Sequence, residues 1–263
     1  MTYFIICLIC LLACSVGSIC GMGGGVIIKP TMDALGILPV STISFLSGCT
    51  VIGMTSYSVA RSFQKKESII DLTTSTPLAI GSALGGILGK QLFLYTETLF
   101  ETPDTAGGVQ AILLFFATGA TLIYTIRKDK LSSKKLHSIV PCVIVGFLLG
   151  TFSSYLGIGG GPFNVAVFCY FFSMTTKAAA QNSLYVILFS QFTATAETVI
   201  CGKVPDFSIV LLILMILCGI LGSIAGRTLN KKLSEKAATY LLEGMMVLIM
   251  GISVFNGVQF LYW

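Results

Sequence analysis

Charge is what this sequence has least of. Of its 263 residues only 16 are Lys or Arg and 11 are Asp or Glu, which makes 10% of the chain, and there is a single histidine. A soluble globular domain carries roughly 25% charged residues, because a folded surface has to be wetted. This shortage excludes a soluble enzyme, a charge-rich disordered chain and a nucleic-acid-binding surface. The net charge of +5 is therefore no basic patch for an acidic partner. The scarcity of acids and imidazoles also limits metal chemistry. Nine cysteines are present, all inside or at the edges of apolar runs, and Cys7-x-x-Cys10 has no acidic residue near it. A zinc site wants four N, S or O ligands within reach of one another. The cysteines read as small apolar helix residues, and no metal, cofactor or catalytic residue is assigned.

What remains is hydrophobic: 55% of the chain, with a mean hydropathy of +0.92. A helix needs about 20 apolar residues to cross about 30 Å of hydrocarbon. Segments 3–20, 40–60, 72–95, 107–126, 138–156, 178–200, 206–228 and 237–260 satisfy that requirement. Leu11-Leu12-Ala13-Cys14 resembles a lipoprotein cleavage box, but Met1-Thr2-Tyr3 carries no positive charge, so 3–20 reads as a retained helix. Two more apolar stretches, 21–38 and 157–175, begin with glycine clusters. The expected class is an all-α polytopic membrane protein with about eight transmembrane helices plus two glycine-broken or re-entrant segments. The lipid bilayer is its first partner, and a homo-oligomer stays open.

The positive charges set the sidedness. Thirteen of the sixteen fall in four connections: Arg61 to Lys66, Arg127 to Lys135, Lys177, and Arg227 to Lys236. Lys29, Lys90 and Lys203 are left for the other side, together with the acidic residues Glu97, Glu101 and Asp104. The basic connections are expected in the cytoplasm and the termini outside. Spanning and re-entrant versions of the glycine-led segments give the same sidedness.

The chain also repeats. Residues 15–25 are echoed by 151–161, Ser41 to Ser44 align with Ala180 to Ser183, and Gly85-Gly-Ile-Leu-Gly-Lys90 aligns with Gly222-Ser-Ile-Ala-Gly-Arg227. Three matches in the same order divide the chain into a first transmembrane repeat (1–126), a basic linker (127–137) and a second repeat (138–263). An odd number of crossings per half inverts the second repeat, an arrangement found in many secondary transporters.

Two constellations could carry function. The first is G-x-G-G-G, as Gly21, Gly23, Gly24 and Gly25 and again as Gly157, Gly159, Gly160 and Gly161. Four glycines in five residues break a membrane helix. Freed backbone donors at that depth are tolerated only inside protein or against a water-filled cavity. A helix restarting there aims its positive end at the cavity, which suits an anion. Close helix packing is the competing explanation, and it is preferred for Gly85, Gly89, Gly222 and Gly226. The second constellation is the polar start of the following helix: Ser41, Thr42 and Ser44, and Gln181, Asn182 and Ser183, with Asn164 added. These uncharged groups offer hydrogen bonds to an oxyanion, or cap a helix. Lys29 and Asp33, four apart, could pair on one helix face; Lys29 could instead attract an anionic substrate or snorkel outward. No carboxylate pair repeats between the halves, so the sequence supplies no proton relay.

With two G-x-G-G-G motifs, Pro30, paired polar helix starts and terminal G-x-x-x-G-[KR] elements, the sequence resembles the sulfite exporter TauE/SafE family. The resemblance covers essentially the whole chain. It implies a bacterial inner-membrane, multi-pass transporter of sulfite, a sulfonate or another small sulfur-containing anion. Alternating access at the two glycine breaks is the expected mechanism. Lys29 before Pro30 and Pro162 directly after the second glycines depart from the usual pattern. A membrane receptor or structural protein without transport activity is the alternative; an intramembrane enzyme would need a nucleophile–base pair or paired aspartates.

Overall fold

The computed structural model describes residues 2–64, 69–100, 103–128, 136 and 138–262. Lys65, Lys66, Glu101, the side chain of Asp104, and Lys130, Lys134, Lys135 and His137 of the basic linker lie outside the described residues.

Among the described residues there are ten helices and no strands. They are α1 (Thr2–Cys20), α2 (Gly25–Leu35), α3 (Val40–Phe63), α4 (Leu72–Leu99), α5 (Pro103–Arg127), α6 (Ile139–Tyr155), α7 (Pro162–Phe172), α8 (Thr176–Ile200), α9 (Ile209–Asn230) and α10 (Glu235–Tyr262). Seven are long and apolar enough to cross a membrane: α1, α3, α4, α5, α8, α9 and α10. The eighth expected span, α6, has 17 residues; at 1.5 Å per residue it is about 26 Å long. The glycine-led helices α2 and α7 have only 11 residues each, about 16 Å, or half of a hydrocarbon layer.

At each break the chain leaves a longer helix and restarts as a short one. Gly17 of α1 lies against Gly23, and Cys14 against Gly24, and α2 packs on α1. In the other half, Phe163 of α7 meets Phe152 of α6 edge to face, with ring centroids 5.4 Å apart. Only α2 packs along the helix that precedes it; α7 packs mainly on α5 and α8.

The interior mixes apolar and polar side chains while the exposed surface is rich in large apolar ones, as a lipid environment allows. Ser18, Ser47, Thr50, Asn182 and Ser183 are fully buried, while Ile80, Leu84, Ile213, Leu217 and Leu221 are exposed. Water does not drive apolar helices together in lipid, so they associate by close backbone approach over small residues. Gly81, Gly85 and Gly89 of α4 meet the backbone of Val143, Phe147 and Thr151 on α6. Gly222 and Gly226 of α9 meet the carbonyls of Leu11 and Ser15 on α1. The four-residue glycine spacing is thus a packing surface. These two parallel crossings are exchanged under the sequence offset, with the fourth helix of each half seated on the first helix of the other.

Hydrogen bonds tie the basic connections together at one end. Lys128 donates to Thr176 and Thr239, Thr175 to Glu235, and Lys177 to the Leu233 carbonyl. At the opposite end Thr42 reaches the Asp206 carbonyl and Gln91 reaches Glu197. The protein is therefore a multi-pass membrane protein with a basic end and an opposite end.

Candidate functional site

The backbone of the two breaks matches where the sequence repeats. Gly21 and Gly157 have φ of 71° and 65°, and Gly23 and Gly159 have 73° and 75°. A side chain at any of these is disfavoured by the left-handed backbone itself. The match ends one residue later: Gly24 is right-handed at φ −69°, whereas Gly160 is at 157°. Gly24 caps α2 and Gly161 caps α7, and neither helix start receives a side-chain cap. Their first-turn N–H groups are thus left to other acceptors. The two breaks touch at the centre of the molecule, Gly25 against the Ile158 carbonyl and Gly160 against that of Met22.

The polar helix starts serve the break of the other half. Ser183 of α8 donates to the Gly21 carbonyl at 2.7 Å, and Gly21 is pressed against Ala180. At the equivalent place, a Cβ on Gly157 would lie 2.8 Å from Ser44 Oγ and 3.1 Å from Lys29 Cε. Ser44 Oγ is buried and has no hydrogen-bond partner among the described residues. One tip is sealed by its serine, while the other serine is uncommitted.

The remaining sites read from sequence divide between committed and uncommitted groups. Asn182 Oδ1 accepts from the Asp71 amide at 2.8 Å and from Ser75 Oγ at 2.6 Å, and its Nδ2 donates to the Ile69 and Ala178 carbonyls. Gln181 Oε1 accepts from Ser62 and from Arg227 at 3.2 and 3.0 Å. Thr42 is held by Asp206, and Ser41 is half-buried. Asn164 is buried and its Oδ1 has no partner among the described residues. Gly24 faces the Cys14 sulfur, within its own hairpin.

Beside the second break lies a cavity of about 20 Å³, lined by Ser44, Gly48, Lys90, Ser154, Gly157 and Gln191 among others. That is room for one water. Lys90 is only 9% exposed and lies over the Phe93 ring, its Nζ 4.9 Å from the centroid. The described lining residues include no carboxylate. An ammonium, hydroxyls, a side-chain amide and a kinked backbone are groups whose chemistry suits an anion. The first break has a different arrangement: Arg227, the counterpart of Lys90, is spent on Ser58, Ser62 and Gln181. Sequence reasoning passed over Lys90, Ser154 and Gln191 as site residues. The alignment of Lys90 with Arg227 at the end of a repeated glycine element was the available signal.

A bundle of apolar helices with charged and hydroxyl groups turned inward around two broken helices defines a membrane transporter. The model of the family described as Sulfite exporter TauE/SafE matches residues 6–254, and the chain belongs to that family. It is 24% identical over 284 residues to the Probable membrane transporter protein YunE of Bacillus subtilis (strain 168), covering 98% of this chain and 99% of that protein. No solved structure matches it significantly.

Proposed function

We propose that this protein is a secondary transporter of a small anion, with sulfite, a sulfonate or another sulfur oxyanion as substrate. The observation that carries this reading is the cavity at the second break that Lys90, Ser44, Gln191 and Gly157 line together, with no carboxylate among its described lining residues. The substrate class rests on the family to which the chain belongs. At about 20 Å³ the cavity is too small for a sulfur oxyanion, so binding requires the breaks to separate. Two inverted halves, 1–126 and 138–263, joined by the 127–137 linker, provide a movement of that kind. Rocking one against the other would open each break in turn, as alternating access demands. The basic end is assigned to the cytoplasm on charge. The test is flux into proteoliposomes holding the purified protein, with labelled sulfite, isethionate, sulfate and chloride compared. Saturable flux of sulfite or isethionate, lost in Lys90→Gln, is expected. Protein-free rates for all four anions would reject the proposal.

A further inference from the structure

Lys29 and Asp33 form an ion pair inside the protein, Nζ to Oδ2 at 2.7 Å, with both side chains about 95% buried. The pair stands between two spaces. On one side Asp33 lines a vestibule of about 440 Å³ at the end opposite the basic connections, together with Gly36, Pro39 and Gln259. On the other side the Lys29 Cε lies against Gly157, where Ser44 is uncommitted. Between them is a cavity of about 10 Å³ lined by Lys29, Asp33, Gln110, Ser253 and Asn256. Asp33 Oδ1, Gln110 Oε1, Ser253 Oγ and Asn256 Oδ1 are all buried there without a hydrogen-bond partner among the described residues. The amides are oriented by their nitrogens, since Asn256 donates to the Pro30 carbonyl and Gln110 to that of Tyr155. Three oxygens without a partner among the described residues therefore line the same small cavity as the carboxylate, whose own Oδ1 is also without one.

We propose that Asp33 and Lys29 couple substrate to protons: an anion that takes Lys29 leaves Asp33 unpaired, and Asp33 then binds one proton. The inference rests on the anion site at the second break. An unpaired buried carboxylate is far too costly to stay ionised, so the two events are linked in both directions. Charge balances, because the monovalent anion replaces the carboxylate as the partner of Lys29 and the proton neutralises that carboxylate. The other groups facing the pair do not substitute for it. Gln110 of α5 and Ser253, Asn256 and Gln259 of α10 are uncharged. The charged groups whose fields reach Lys29 are Lys90 and Glu97 of α4. Proton and anion thus travel together, in the direction set by the steeper of their gradients.

The test is isethionate binding to the detergent-purified full chain, by calorimetry in two buffers of different ionisation enthalpy across a pH series. Isethionate stays ionised throughout, so any proton taken up belongs to the protein. Wild type is expected to take up close to one proton per anion, with affinity weakening about tenfold per pH unit as pH rises. Asp33→Asn is expected to bind with no proton uptake and a flat pH profile. The double variant Lys29→Gln with Asp33→Asn buries no unpaired charge, and its affinity should fall about tenfold or more with no pH dependence. Wild-type binding without proton uptake, or uptake unchanged in Asp33→Asn, would overturn the coupling and leave the anion site standing. Failure of isethionate and sulfite alike to bind wild type would reject the site itself, and the coupling with it.

Discussion

Ser44 and Ser183 occupy aligned positions and have different duties. Ser183 holds the Gly21 carbonyl, and the Ser44 hydroxyl has no hydrogen-bond partner among the described residues. Ser183→Ala leaves a buried carbonyl short of its donor, which costs roughly 1–3 kcal/mol, so its melting temperature should fall. Ser44→Ala should melt like wild type but bind the anion about tenfold more weakly, because a hydrogen bond to a charged group contributes roughly 1.5–3 kcal/mol. Equal melting temperatures for both variants would contradict the difference. The glycines divide in the same way. Gly157→Ala meets a positive φ and points at Ser44 and Lys29, so transport should be lost. Gly24→Ala has an ordinary backbone but drives a methyl into the Cys14 sulfur. Overpacking of this kind costs typically 1–3 kcal/mol, and Cys14→Ala in the same chain should restore the melting temperature. A lack of rescue would show that Gly24 acts through something other than that contact.

At the level of elements, the ends of α4 and α9 show how one motif serves two purposes. Each ends a glycine stripe with a cation that turns inward. Arg227 reaches α3 and α8 through hydrogen bonds to Ser58, Ser62 and Gln181. A planar guanidinium with several fixed donors is well suited to such a junction. Lys90 makes no side-chain hydrogen bond among the described residues, and lies over the Phe93 ring within reach of the charge of Glu97. Arg227→Gln should therefore destabilise the detergent-purified protein by roughly 1.5–3 kcal/mol, measured as denaturant midpoint or melting temperature. Lys90→Gln should change anion affinity and leave stability alone. If both variants lose stability equally, Lys90 is structural and the site reading at the second break weakens. Helix packing can be tested separately: Gly85→Leu forces α4 off the Phe147 and Thr151 backbone, and should prevent recovery of folded protein.

For the whole molecule, the testable property is which end faces which compartment. Ser234 lies at the basic end and Gly202 at the opposite end, and both are exposed. Single cysteines at these positions, in a background without native reactive thiols, should label from opposite sides of an intact cell, Gly202→Cys from outside. Labelling of both from one side would reject the crossing of α9 and with it the assigned orientation.

Composition and hydrophobic runs determined the class of protein, the number and order of its helices and the places where two of them break. These are local consequences of transfer free energy and of glycine, legible one segment at a time. The offset of 136 residues between the glycine clusters likewise pointed to matched breaks, and the matched φ values of Gly21 and Gly157 agree with it. Pairing across the chain was not legible. Nothing local shows that Ser183 serves Gly21, that Gly24 is filled by Cys14, or that Lys90 lies beside Gly157. Nor does sequence distinguish the committed amides of Gln181 and Asn182 from the uncommitted hydroxyl of Ser44. Those outcomes depend on which helices exchange between halves, and in lipid that is decided by backbone contact over small residues and by buried hydrogen bonds, which form only once the helices have met.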